Sequence, residues 1–403
     1  MSTFNGLLQE IPGISIDCFE GDNLQSSSYF LTHCHTDHMR GLCYDFFDHL
    51  AKHDKPFYCS HISKSFLINK YPNLDSKFCD KHIFELPMDE TRILTYNYHN
   101  VVMTLTVCCV SSGHCPGAVM FLFNFNNKRI LYTGDFRINK EDFPKLKSLH
   151  YGNATQLLPL PIDKVYLDTT FMNLNFLEFP SRTESSKELC LAVKEWIDKD
   201  PRNVVILEIS ALYGSEFIYM ELNKKLNKKI HVKDHVYRVY SRMSILADCV
   251  TNLGETTPIH ACTNKSFLKP VGLKCREDVQ SQNILTIIPS VQKWAGKNTA
   301  VIIEWDKVKK QTKNVCYSTH PSYNELNSFI MYFKPKEIFP CVCHETEKQN
   351  INYLLDKIMS EVHGTKDVGD SSNPSLHFSK HKMFKKSINK SDLLSDDDDS
   401  DDS

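Results

Sequence analysis

Residues 31–42, LTHCHTDHMRGL, carry His33, His35, Asp37 and His38 in an HxHxDH pattern. The preceding Ser28, Tyr29, Phe30 and Leu31 read as a buried strand ending at Thr32. Just past a strand end, alternate side chains point to one side. His33 and His35 can therefore grip one ion together, while Asp37 and His38, on the turn that follows, can reach a second. Imidazole and carboxylate suit zinc, iron or manganese better than calcium or magnesium. A solvent-exposed loop that happens to be His-rich is the bland reading. Four ligand-type residues packed into six positions behind an apolar strand argue against it.

Elements that must position further ligands follow downstream. Residues 102–110, 119–123, 129–133 and 164–168 are rich in β-branched and aromatic side chains and are expected to form strands. The first is followed by Ser112-Gly113-His114-Cys115-Pro116-Gly117, and the third runs into Thr133-Gly134-Asp135. Ligands at several strand ends describe a site along one edge of a sheet core. His114 and Asp135 complete a shell with His33 and His35. Asp17, in Ile14-Ser15-Ile16-Asp17, is expected to orient one of the histidines from behind. From Pro180 onward helices alternate with strands, which suggests an α/β layer. Helices are expected over 184–199 (N-cap Thr183), 215–229, 325–333 and 345–360. Strands are expected over 204–209, 283–288, 300–305 and 337–342.

The chain of 403 residues, 41% hydrophobic and 24% charged, fits a globular protein of one large or two smaller domains. No apolar run is long enough to span a bilayer, so no membrane association is expected. The N-terminus lacks the features of a secretory signal. The 15 cysteines then read as reduced thiols or metal ligands in a cytosolic or nuclear protein. Net charge is -2, but residues from Lys366 onward hold 6 Lys and 9 Asp, leaving 41 basic and 40 acidic residues before them. A nucleic-acid surface must therefore be a local patch. Residues 391–403 (SDLLSDDDDSDDS) cannot bury a core and are expected to be disordered. Lys380-His381-Lys382-Met383-Phe384-Lys385-Lys386 reads equally as a weak nuclear-import patch or a solvated basic run.

The ordered set HxHxDH, GHCPG and TGDFR resembles the metallo-β-lactamase superfamily. The stretch Tyr166-Leu167-Asp168-Thr169-Thr170-Phe171 is similar to motif A of its β-CASP, nucleic-acid-processing branch, and Ser318-Thr319-His320-Pro321 to motif B. HCHTDHMRGL, GHCPGAVMFLF, LYTGDFR, VYLDTTF and the YGSEF beginning at Tyr213 resemble its DNA-repair nucleases, over about residues 1–360. The implied fold is an α/β one: an αββα metallo-β-lactamase sandwich in two parts, residues 1–172 and 316–363. An α/β β-CASP domain, residues 173–315, is inserted between them, and an acidic tail, residues 364–403, follows. Val342 falls where motif C lies, with His344 two residues on. RNA-cutting members carry a metal-binding histidine there and DNA-cutting members usually valine.

The resemblance further implies one or two catalytic ions, zinc at the first position and magnesium or manganese as options at the second. Asp135 would bridge them, with Asp37 and His38 as the second ion's other ligands. Asp37 is also a candidate acid or base. His320, oriented by Asp168, is a candidate to hold the phosphate or protonate the leaving oxygen. His231, His260, Cys262 and Cys275 form a His2Cys2 set compatible with a closed structural zinc, with His235 competing with His231. Arg40 is the best single candidate for touching DNA. Lys224, Lys225, Lys228, Lys229, Lys233, Arg238 and Arg242, interleaved with Tyr237 and Tyr240, form either a DNA surface or an ordinary helix face.

The function so implied is a nuclear, monomeric, structure-selective DNA endonuclease that opens hairpins and trims overhangs at single-strand/double-strand junctions in end joining. Kinase and ligase factors of that pathway are the implied partners. A 5′ exonuclease of cross-link repair, an RNA endonuclease and a non-catalytic scaffold are the alternatives.

Overall fold

The computed structural model describes residues 2–153, 156–209, 214–262 and 273–364. Tyr213 of the YGSEF stretch, the basic patch around Lys382 and the acidic tail lie outside them. Up to His363 the chain forms one compact unit.

Two sheets build the part that holds the HxHxDH loop. The first has four parallel strands in chain order: Ile14–Ile16, Ser28–Phe30, Phe57–Cys59 and Ile83–Glu85. The second has six, in the order Glu337–Pro340, Lys164–Leu167, Lys128–Tyr132, Val119–Phe125, Val101–Ser111 and Thr91–Tyr98. The first three of these run parallel and the others antiparallel.

The period of two in side-chain direction explains the layering. Phe30 enters the core between the sheets, where its ring lies 5.4 Å from Phe121 and 5.2 Å from Phe123. Its neighbours Tyr29 and Leu31 enter the core on the opposite face. Likewise Ile130 and Tyr132 face the first sheet, while Leu131 faces the helices Tyr323–Phe333 and Lys348–His363. The layers are therefore helix, sheet, sheet, helix, as expected. Truncating a ring such as Phe30 to alanine costs about 3–5 kcal/mol, a large share of an ordinary domain's stability.

A third sheet of seven strands is drawn entirely from residues between 204 and 315. Its order is Val250–Thr251, Ile230–His231, Ile259–His260, Val204–Leu207, Ile284–Pro289, Thr312–Val315 and Ile303–Trp305. All pairs are parallel except the last. Leu189, Val193 and Leu222 beside it share one buried cluster with Leu31, Phe47 and Phe66 of the first part. The two parts thus meet through apolar packing.

Several element ends differ from expectation. The helix near 184 spans Arg182–Ile197, and its N-cap is Ser181, not Thr183. Ser181 accepts from Glu184 N while the Glu184 carboxylate reaches back to Ser181, a full capping box. The next helix is shorter than expected, Glu216–Leu226, because Asn227 takes a left-handed φ of 50° and ends it. The strand near 300 begins only at Ile303, and the last helix runs Lys348–His363.

Candidate metal centre

Asp17 anchors the loop that carries the HxHxDH residues. It follows the first strand with φ 56°, a conformation that non-glycine residues hold only when the surroundings demand it. Its carboxylate accepts from Thr32 N at 2.8 Å, Thr32 Oγ1 at 2.7 Å and His38 Nδ1 at 2.8 Å. Thr32 Oγ1, having given its proton to Asp17, lies 3.0 Å from His33 Nδ1 and can accept from it. One buried carboxylate thereby reaches both His38, directly, and His33, through Thr32. The Tyr132 hydroxyl also donates to it, at 3.3 Å.

Asp135 sits where the other side chains converge. Gly134 before it has φ 51°, and a Cβ there would meet Thr32 at 2.9 Å. Glycine therefore allows the turn to close against the metal loop. Asp135 Oδ2 lies 3.7 Å from His33 Nε2, 3.6 Å from His114 Nε2 and 3.7 Å from His320 Nε2, and Oδ1 lies 3.2 Å from His38 Nε2. His114 Nδ1 donates to the Thr319 carbonyl at 2.9 Å, which turns its Nε2 to within 3.0 Å of His35 Nδ1. His33, His35, His114 and Asp135 bring one ligand atom each within 4.8 Å of one another.

The charges of this cluster suit a cation. Burial first, and then the neighbouring imidazoles, push His33 well below the ordinary imidazole value. Burial likewise dominates for His114 and His35. Three neutral imidazoles are the form that binds metal. The Nε2 atom of His33 is buried and has no hydrogen-bonding partner among the described residues. Burial works to raise Asp135, but His38 and then His320 outweigh it and hold its carboxyl well below the usual range. His38 shows the converse: burial opposes its charge, yet Asp135 and Asp17 raise it well above the usual value. A proton held between two carboxylates occupies the place where a second positive charge would be welcome.

A second gathering, Asp135, Asp168 and His320, adjoins the first. His320 Nδ1 donates to Asp168 Oδ2 at 2.8 Å, 152 residues away in sequence. Asp168 Oδ1 accepts from Thr170 N and Oγ1. Burial works to lower His320, but Asp168 and Asp135 raise it to about 9.

Asp37 stands further out. It accepts from Ser2 N at 3.3 Å and lies 3.9 Å from His38 Nε2. Val342 is buried, and its backbone N and O both bond to Thr169 Oγ1, one residue past Asp168. His344 is exposed. Arg40 turns its guanidinium toward Cys18 Sγ, 3.1 Å, and Glu20, 3.8 Å.

The His2Cys2 set also comes together. His231 Nδ1 is 3.1 Å from His260 Nδ1, Cys275 Sγ is 3.4 Å from His260 Nδ1, and the two Sγ atoms are 3.5 Å apart. That separation is too long for a disulfide. Burial pushes His260 down to about 4 and Cys262 up to about 12, with His231 and Cys275 adding in turn. His231, not His235, is the member of this group.

Among the basic-segment residues, Tyr240 does not fit base stacking. It is 1% exposed and its hydroxyl donates to Glu216, because the short helix Asp234–Tyr240 turns Val236, Val239 and Tyr240 inward. Lys225 pairs with Glu221 at 2.9 Å. Two residues near the cluster had no role in the sequence reading: Arg182, which donates to the His114 carbonyl at 3.2 Å, and the buried Glu216. Glu216 lies within the YGSEF stretch, its one sequence signal.

Residues 245–346 match the family described as DNA repair metallo-beta-lactamase. The chain is 35% identical over 364 residues to protein artemis of Danio rerio, covering 85% of this chain and 53% of that protein. It is 33% identical over 360 residues to protein artemis of Homo sapiens, covering 85% and 49%. It is 28% identical over 346 residues to DNA cross-link repair 1A protein of Mus musculus, covering 82% and 30%. The chain spans about half the length of the artemis proteins it matches. The helix–sheet–sheet–helix layering and a gathered set of candidate metal-ligand residues accompany this similarity to DNA-repair metallo-β-lactamase proteins.

Proposed function

We propose that the protein is a metal-dependent DNA endonuclease of double-strand-break repair that opens hairpins and trims overhangs at single-strand/double-strand junctions. The observation that carries the reading is the convergence of three neutral imidazoles, His33, His35 and His114, on the ionised Asp135, directly beside the His320–Asp168 pair. These donors fit zinc, with His38, Asp37 and Asp135 available to a second, more exchangeable ion such as magnesium or manganese. His231, His260, Cys262 and Cys275 fit a structural zinc. Residues 173–315 are read as the inserted β-CASP domain, and the site of action as the nucleus.

A bound divalent cation supplies positive charge for the phosphoryl oxygens and makes water a better nucleophile at neutral pH. The rest falls to side chains. Asp17, through Thr32 and His38, holds the loop geometry. Asp135 keeps negative charge at the centre. His320 carries a proton at Nε2, with Nδ1 tied to Asp168, and gives it to the departing oxygen of the phosphodiester. Valine at position 342, beside the motif A residues, favours DNA over RNA as substrate.

The reading is tested on a DNA hairpin closed at both ends, with and without chelator. Cleavage that stops on chelation and returns with added metal supports it. Degradation only of open-ended DNA would favour the 5′ exonuclease reading. Binding without cleavage under any metal would favour a scaffold.

A further inference from the structure

His35 needs a partner behind it. Its Nδ1 faces His114 Nε2 at 3.0 Å, on the side where the ligand atoms gather. Nδ1 can ligate only with its lone pair free, so the ring proton must sit on Nε2. His35 Nε2 is buried and has no hydrogen-bonding partner among the described residues. The backbone at Gly214 closes over this edge of the ring: a Cβ there would stand 2.9 Å from Nε2, and φ is +118°.

Glu216 offers the missing acceptor. It is 6% exposed and begins the helix Glu216–Leu226. Oε1 accepts from Gly214 N at 2.9 Å and from the Tyr240 hydroxyl. Oε2 is buried with no hydrogen-bonding partner among the described residues. An unpaired buried carboxylate oxygen is costly, and here it shares one small cavity with His35, lined also by Cys34, Cys115 and Tyr240. The cavity has about 20 Å³ of room for a water centre, enough for one molecule.

We propose that Glu216 is a positioning residue for His35. It accepts, through a single bridging water, the Nε2 proton, and so keeps the His35 Nδ1 lone pair pointed at the metal position. Carboxylates behind metal-bound imidazoles act in this way. Here the carboxylate comes from the part of the chain that carries the seven-stranded sheet, so the metal loop takes its geometry from both parts.

The inference rests on the metal-centre reading, and its test separates the two. Co2+ is titrated into metal-depleted full-length protein without nucleic acid. Uptake is followed by d–d absorption, and the thiolate cluster is told apart by its sulfur-to-cobalt charge-transfer band. In Glu216→Gln the atom facing the cavity becomes a donor, which favours the tautomer with the proton on Nδ1. Affinity at the imidazole site should fall about tenfold or more, with a changed d–d spectrum and an unchanged melting temperature of the metal-free protein. Glu216→Asp, which keeps an acceptor, should recover part of the loss. Affinity within twofold of wild type in a folded Glu216→Gln protein overturns the proposal. If that variant does not fold, 15N imidazole shifts of metal-free wild type decide: a proton on His35 Nε2 supports the proposal and one on Nδ1 overturns it. Wild type that takes up no Co2+ outside the thiolate cluster removes the metal-centre reading, while the tautomer measurement still judges Glu216.

Discussion

The two ligand clusters of this protein differ in donors and in reach. The His33, His35, His114 and Asp135 cluster offers nitrogen and carboxylate, and its neighbours His38, Asp168 and His320 can hold or move protons. Its members come from loops between residues 33 and 135, and its neighbours extend that reach to residue 320. The His231, His260, Cys262 and Cys275 cluster offers two imidazoles and two thiols, and its members lie between residues 231 and 275. His231 and His260 are register partners on adjacent strands. Thiols and imidazoles filling four positions suit a closed zinc that contributes to folding. A shell with a carboxylate and an adjacent acid–base pair suits chemistry. Damage to the first cluster should therefore appear as lost rate, and damage to the second as lost stability.

Asp135→Asn should break that contrast most sharply if it is wrong. We expect hairpin cleavage to fall by at least about a hundredfold, while circular dichroism and the melting temperature of the metal-free protein stay close to wild type. Full cleavage by a folded variant with unchanged metal content would remove Asp135 from the centre of the scheme.

Replacing Cys262 and Cys275 together by serine should do the reverse. The expected result is loss of one bound zinc by metal analysis and a melting temperature lower by about 5–10 °C. Cleavage per folded molecule at low temperature should remain. A metal content indifferent to the double replacement would leave that cluster without an ion.

Val342→His sharpens the first cluster from within. The new imidazole adds a ligand where Val342 now packs beside Thr169. It should tighten the second, exchangeable ion and reduce the dependence of rate on added metal. Preference for DNA should persist, since contacts to the 2′-OH also set it. Wild type that already holds two tightly bound ions, or prefers RNA hairpins, would sink the motif C reading.

The smallest effect is expected from deleting residues 365–403. Cleavage should stay within about twofold or rise slightly, since the removed segment is rich in Asp, whose charge would compete with DNA for basic groups. A marked loss of DNA binding at matched salt would contradict this.

The candidate ligands were legible because each sits in a short pattern with its own chemistry, and strands such as Ser28–Phe30 and Lys128–Tyr132 announce themselves by β-branched and aromatic content. Helix ends were less legible. Ser181 and Thr183 are both good caps by composition, and only the reach of Glu184 back to Ser181 selects one. Tyr240 was open to either reading because tyrosine beside lysine is ambiguous in a list of residues. The side of its helix that packs inward settled the matter.

By itself, the sequence determined which atoms are available: imidazoles and carboxylates after strand ends, thiols and imidazoles near residue 260, and the alternation that makes Phe30 and Leu31 face opposite ways. Those properties are local, set by residue type and by the two-residue period of a strand. Tertiary structure alone decided what lies at long separation. It put His320 on Asp168, His114 on the Thr319 carbonyl, Val342 on Thr169 and Glu216 behind His35. The physical reason is that contacts across a hundred residues depend on which faces two sheets bury against each other and against helices. That choice is made by the whole apolar surface at once, not by any one segment.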